Sequence, residues 1–105
     1  MTTQEIFHFL EKKGYKHYLP YTIKELSKLD FNSQEIIVET ALIMDWLMTK
    51  HNIYISVDCV SGDWYYLLYY NNMHETKKLH QSKNYISDYN HANRSAITYI
   101  IKNIL

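Results

Sequence analysis

Cys59 is the one thiol in the chain, and six imidazoles accompany it: His8, His17, His51, His74, His80 and His91. Metal sites built on such residues need set spacings, such as two histidines one helical turn apart or a Cys-x-x-Cys pair. No two of these histidines lie four residues apart, and no second cysteine exists. His74 and His80 would stand ~20 Å apart along one strand, too far to share an ion. His51 falls at a helix C-terminus, where the macrodipole favours a cation. Cys59 ends an alternating strand on its inward side, without a cationic neighbour. A core thiol is therefore expected rather than a nucleophile. The two glycines, Gly14 and Gly62, are too far apart for a phosphate loop, and no Gly-x-Ser-x-Gly elbow occurs. Glu35 and Glu39 sit one turn apart, as on a solvated helix face. Asp58 beside Tyr65 suits a cross-strand hydrogen bond, and Asp63 suits a turn. The expectation is no catalytic residue, no metal and no cofactor: a protein that is not an enzyme.

Composition narrows the partners. Eleven basic residues balance eleven acidic ones, so the chain lacks the overall positive field that draws proteins to nucleic acid or anionic lipid. No apolar run approaches the ~20 residues of a membrane span. The N-terminal residues lack the layout of a signal peptide, and a lone cysteine suits a reducing compartment. A cytoplasmic, membrane-free protein is expected. Eleven tyrosines against three phenylalanines favour half-buried sites and interfaces, because tyrosine joins an apolar ring to a polar tip.

The length of 105 residues implies one domain, with residues 1–32 a helical extension and 33–105 the core. Thr2 and Glu5, three apart, form a capping box for a first helix over 2–13, which Gly14 stops. Thr22 and Glu25 repeat the box for a second, short helix. Ser33 caps a long helix over Gln34–His51. Ile53, Ile55, Val57 and Cys59 alternate inward with Tyr54, Ser56 and Asp58 outward. Ser61-Gly62 makes the turn. That turn sets a register in which Cys59 faces Trp64, Val57 faces Tyr66, Ile55 faces Leu68 and Ile53 faces Tyr70. A third strand over 76–81 carries Lys77 and Lys78, which suit an edge. Asp88 caps a last helix reaching Asn103, with Tyr89, Ala92, Ala96, Ile97, Ile100, Ile101 and Ile104 on one face. Asn93 falls inside that face and should be hydrogen-bonded or near its edge. The predicted fold is α+β and two-layered: N-terminal helices, then α-β-β-β-α, with a three-stranded antiparallel sheet packed on two helices.

Two surfaces remain after the core is assigned. A wheel of the long helix places Ile36, Ile37, Ala41, Ile43, Met44, Leu47 and Met48 on a broad face, expected against the sheet. Val38, Leu42 and Trp46 form a second stripe, for the N-terminal helices or a partner. The outer sheet surface carries Tyr54, Tyr65, Leu67 and Tyr69. Its first expectation is cover by the N-terminal segment, through Phe7, Phe9, Tyr15, Tyr18 and Tyr21. Otherwise it is a surface for a protein partner or a second copy, for which tyrosine is enriched, a platform for stacking single-stranded nucleic acid beside Lys77, Lys78 and Lys83, or simply an exposed face.

The helix end Trp46-Leu47-x-x-Lys50-His51-x-Ile53, the aromatic hairpin after it, and a closing helix with Tyr89, Ala92, Ala96 and Ile97 resemble small uncharacterised α+β proteins encoded by bacterial chromosomes, prophages and phages. The resemblance covers residues 34–104 and implies a phage or mobile-element setting, with no function attached to it. The order helix-strand-strand-strand-helix also resembles double-stranded-RNA-binding domains, which read phosphates through a lysine-rich start of the last helix. Here that start is Asn90-His91-Ala92-Asn93-Arg94. The alternative function is thus nucleic-acid binding through Lys77, Lys78, Lys83 and Arg94.

Overall fold

Local capping chemistry sets the helix starts. In the computed structural model, which describes all 105 residues, α1 (Thr3–Lys12) opens on a reciprocal box: Thr2 Oγ1 accepts from the Glu5 N–H, and Glu5 Oε1 accepts from the Thr2 N–H. The same box, Thr22 with Glu25, opens α2 (Ile23–Ser27). Ser33 caps α3 (Gln34–His51) and Asp88 caps α4 (Tyr89–Asn103). Such caps contribute about 0.5–2 kcal/mol each. The end of α1 is a Schellman turn: Gly14 at φ 101° lets its N–H reach the Glu11 carbonyl while the Tyr15 N–H reaches that of Leu10. That turn drives the Tyr15 ring inward, where it is buried.

The strands are β1 (Ile53–Val60), β2 (Asp63–Asn71) and β3 (Thr76–Gln81), antiparallel in the order β1-β2-β3. Ser61 (φ 52°) and Gly62 (φ 85°) both take positive φ, the two-residue turn that matches strand twist. The resulting register is the expected one, from Ile53 opposite Tyr70 to Cys59 opposite Trp64. A bulge interrupts the β2–β3 pairing between Leu68 and Tyr69. The two long helices pack on one sheet face, so the fold is α+β in the order α-β-β-β-α behind two N-terminal helices. The core joins Ile6, Phe7 and Leu10 of α1, Ile43 and Leu47 of α3, Ile97 and Ile100 of α4, and Ile53, Ile55, Tyr66 and Leu68 of the sheet.

Five expectations change. First, α3 is rotated relative to its wheel. Ile36, Ile43 and Leu47 are buried as expected, but Ile37, Ala41 and Met48 are exposed and Met44 is half-buried. Second, the reason lies in Glu39, which is not on a solvated face but fully buried. Its Oε2 accepts from the Tyr15 hydroxyl at 2.8 Å, and its Oε1 accepts from the backbone N–H groups of Tyr18 (2.8 Å) and Leu19 (2.6 Å). A buried carboxylate is stable only with such partners. Burial first, and then the Glu39 carboxylate, push the Tyr15 phenol above the ordinary tyrosine range. Third, the N-terminal segment does not cover the outer sheet. α1 packs on α4 and on α2, and Tyr15 meets Trp46 edge-on at 5.5 Å. The Val38-Leu42-Trp46 stripe is thus partly used: Leu42 and Trp46 are half-buried, and Val38 stays exposed. Fourth, Cys59 is exposed rather than core, because exposure rises along β1 from the buried Ile53 and Ile55 to its last three residues. Fifth, Asn93 is buried with Oδ1 unpartnered.

A second tie holds the N-terminal segment. His17 Nδ1 lies 2.7 Å from Glu11 Oε1, and Nε2 faces the Tyr21 carbonyl. Burial opposes the charged ring, but two acceptors, one of them anionic, outweigh it and raise the pKa. A raised histidine pKa stabilises the fold fully below the unfolded value of about 6.5, and that stability is lost as pH rises through the folded pKa. The melting-temperature gap between wild type and His17→Gln is therefore expected to be wide near about pH 5.5 and to shrink near about pH 8.5. An equal gap at both would refute the charged pair.

Candidate functional site

The outer sheet face is held by the hairpin register and by one loop. Alternation sends Tyr54, Ser56 and Asp58 of β1, and Tyr65, Leu67 and Tyr69 of β2, away from the helices. The loop after β3 folds back along β2: the Ser82 N–H donates to the Tyr66 carbonyl and Ser82 Oγ accepts from the Tyr66 N–H. Further along, Trp64 and Ile86 exchange both backbone hydrogen bonds. This fixes Tyr85 edge-on to Tyr65, with ring centroids 6.3 Å apart.

Two concavities result. One, of about 420 Å³, has Tyr65, Leu67 and Tyr69 as its floor, with Lys78, Lys83 and Tyr85 around it. The other, of about 360 Å³, lies between Tyr54, Ser56, Tyr69, Asn71 and Thr76. Tyr69 is the ridge between them. Tyr54 is exposed, and Tyr65, Leu67 and Tyr69 are half-buried. Desolvation by its neighbours, then the Asp58 carboxylate opposite, raise the Tyr65 phenol pKa. That phenol is a neutral donor and acceptor at ordinary pH. Lys78 Nζ donates to Gln81 Oε1 at 2.8 Å. The face offers flat aromatic area, hydroxyls and amides, with Asp58, Lys78 and Lys83 as its charges.

The three lysines expected as a cluster, and Arg94 of the last helix, do not come together. Lys78 and Lys83 line the outer concavity. Lys77 pairs with Tyr70, whose side chain alternates to the opposite face. Arg94 is committed elsewhere: Nη1 donates to Thr3 Oγ1 at 2.8 Å, Nη2 donates to the Met1 carbonyl, and the guanidinium lies 4.8 Å from the Phe31 ring centre. Its departure removes the one fixed cation at the start of the last helix from any phosphate role. Tyr85 is the residue that sequence reasoning missed, because nothing in a loop reading marks which side chain folds back.

His80 and His51 have aromatic partners. His80 stacks flat on Tyr99 at 3.7 Å, and burial, then the Lys83 charge, lower its pKa. His51 meets Trp46 edge-on at 4.7 Å. No three histidine, cysteine or carboxylate side chains gather where they could hold a metal ion, and no helix is long and apolar enough to cross a membrane. No family model matches the chain, and neither a curated protein nor a solved structure matches it.

Proposed function

We propose that this protein is a non-catalytic protein-interaction module, an accessory protein of the kind phages and mobile elements encode, acting in the cytoplasm. The observation that carries this reading is the uncovered outer sheet face, with Tyr54, Tyr65, Tyr69 and Tyr85 set among Ser56, Asn71, Thr76 and Ser82. Rigid aromatic rings amid small polar groups are the chemistry of antibody paratopes, which grip protein surfaces at low entropic cost. The rings are held by a sheet and a pinned loop, so little ordering remains to be done on binding. A second copy of the chain is one partner this face would accept.

The test is a Tyr65→Ser/Tyr69→Ser variant, with Lys77→Glu on the opposite side as control. The double variant should lose its captured or self-associated partner by at least roughly tenfold, as central aromatic hot spots do. It should still melt within about 8 °C of wild type, since exposed cross-strand pairs contribute about 0.2–1 kcal/mol each. A monomer by light scattering that captures no protein, unchanged in the variant, would refute the reading.

One observation favours a second reading. Lys78 and Lys83 flank the aromatic concavity, the arrangement that stacks single-stranded nucleic acid. Asp58 and the balanced net charge weigh against it. Affinity for oligonucleotides falling steeply with salt would support it, and no binding at low salt would end it.

A further inference from the structure

We propose that the free edge of β1, beneath α3, is a β-augmentation site that takes up an extended peptide segment of a partner protein. The segment would be apolar at alternate positions and carry a lysine or arginine beside the apolar residue. This site shares only Tyr54 with the outer face and does not depend on Tyr65 or Tyr69.

The hairpin turn decides which backbone groups are free. With Ser61-Gly62 as a two-residue turn, Val60 and Asp63 form a hydrogen-bonded pair, and bonding alternates from there. The β2 side confirms the phase, since Trp64 and Tyr66 direct their backbone groups to Ile86 and Ser82, away from β1. Their partners Cys59 and Val57, and Ile55 two residues on, therefore point N–H and C=O groups outward from the sheet. No backbone or side-chain bond outside the sheet takes these groups. β1 ends the strand order.

The two sheet edges differ. β3 carries Lys77, Lys78 and the bulge, the devices that stop a strand from pairing further. β1 has no lysine, no proline and no bulge along Ile53–Val60. Instead it has a roof. α3 packs on β1, whereas α4 reaches both β1 and β2, so α3 lies toward the open side. Its exposed Ala41 and Met48, with the half-buried Met44 between them, overlook that edge. A groove of about 270 Å³ runs there, lined by Ala41, Met44, Asp45, Met48, Tyr54 and Ile55. A strand laid beside β1 would bond Ile55 and Val57 by its backbone and turn every second side chain up against Met44 and Met48. Methionine suits such a roof because it repacks around different apolar shapes.

Asp45 sets the charge of the segment. It is the one charged residue of the groove, and it takes part in neither of the chain's ion pairs. A cation next to the apolar residue would meet it. A single strand fits this space better than a second copy, whose own α3 would be brought against this one if the two β1 edges paired.

The probe is a blocked eight-residue peptide of alternating valine and threonine with one central lysine, followed by fluorescence anisotropy on the full chain. Binding is expected below about 1 mM, weakened roughly tenfold when the lysine is replaced by glutamate. Asp45→Lys should invert that preference. Methylating peptide amides should abolish binding at every second position and spare the positions between, the signature of strand addition. Tyr65→Ser/Tyr69→Ser should bind the peptide as wild type does, which separates this site from the outer face. No binding by the lysine peptide, equal tolerance of methylation in both phases, or a dimer that the peptide cannot dissociate would overturn the proposal.

Discussion

Glu39→Ala is expected to destabilise the protein by about 3–5 kcal/mol, enough to lower the melting temperature by about 15–30 °C. The carboxylate is fully buried and satisfies three donors: the Tyr15 hydroxyl and the Tyr18 and Leu19 N–H groups. Alanine leaves all three without a partner and opens a void between α3 and the segment after α1. Glu39→Gln should cost much less, about 1–2 kcal/mol, since its amide oxygen can keep both backbone donors while the Tyr15 hydroxyl turns to accept. Tyr15→Phe should cost about 1 kcal/mol, because two backbone donors still hold the carboxylate. The same series reports on detachment of the N-terminal segment. Tryptic cleavage after the exposed Lys16 should accelerate most in Glu39→Ala. Thermal melts in which the alanine variant stays within about 3 °C of wild type would show that the clasp contributes nothing.

That clasp also marks where sequence reasoning stops. Helix starts were legible because Thr2, Thr22, Ser33 and Asp88 act through bonds to residues three positions on. The hairpin register was legible because Ser61-Gly62 fixes it and alternation carries it to Ile53. Both are local effects. Glu39 and Cys59 were misjudged for the opposite reason. Burial of Glu39 depends on donors about twenty residues earlier in the chain. Exposure of Cys59 depends on how far the helical cover extends along β1, which strand periodicity does not encode. The outer-face residues Tyr54, Tyr65, Leu67 and Tyr69 followed from alternation alone. Their lack of cover did not, because a tyrosine-rich N-terminal segment reads equally well as their lid. Tyr15 went under α3 because the Gly14 turn aimed it there.

Two neighbours on α3 separate the wheel from the fold most sharply. Leu47 and Met48 share the broad apolar face in sequence, yet Leu47 is fully buried and Met48 is 37% exposed. Leu47→Ala should cost about 2–5 kcal/mol, since it removes transfer energy and leaves a cavity in the core. Met48→Ala should cost under about 1 kcal/mol, because its side chain already meets water. Equal costs would mean that α3 sits as the wheel has it, with Ile37, Ala41 and Met48 turned down onto the sheet. The β1 groove would then have no roof. The predicted inequality places Met48 over an open strand edge rather than inside the core. The exposed Met48 side chain contributes little to folding, so its apolar chemistry is free to serve binding. Met48→Ala should accordingly leave the melt almost unchanged while weakening a strand-forming peptide, a separation of stability from binding that a core residue such as Leu47 would not give.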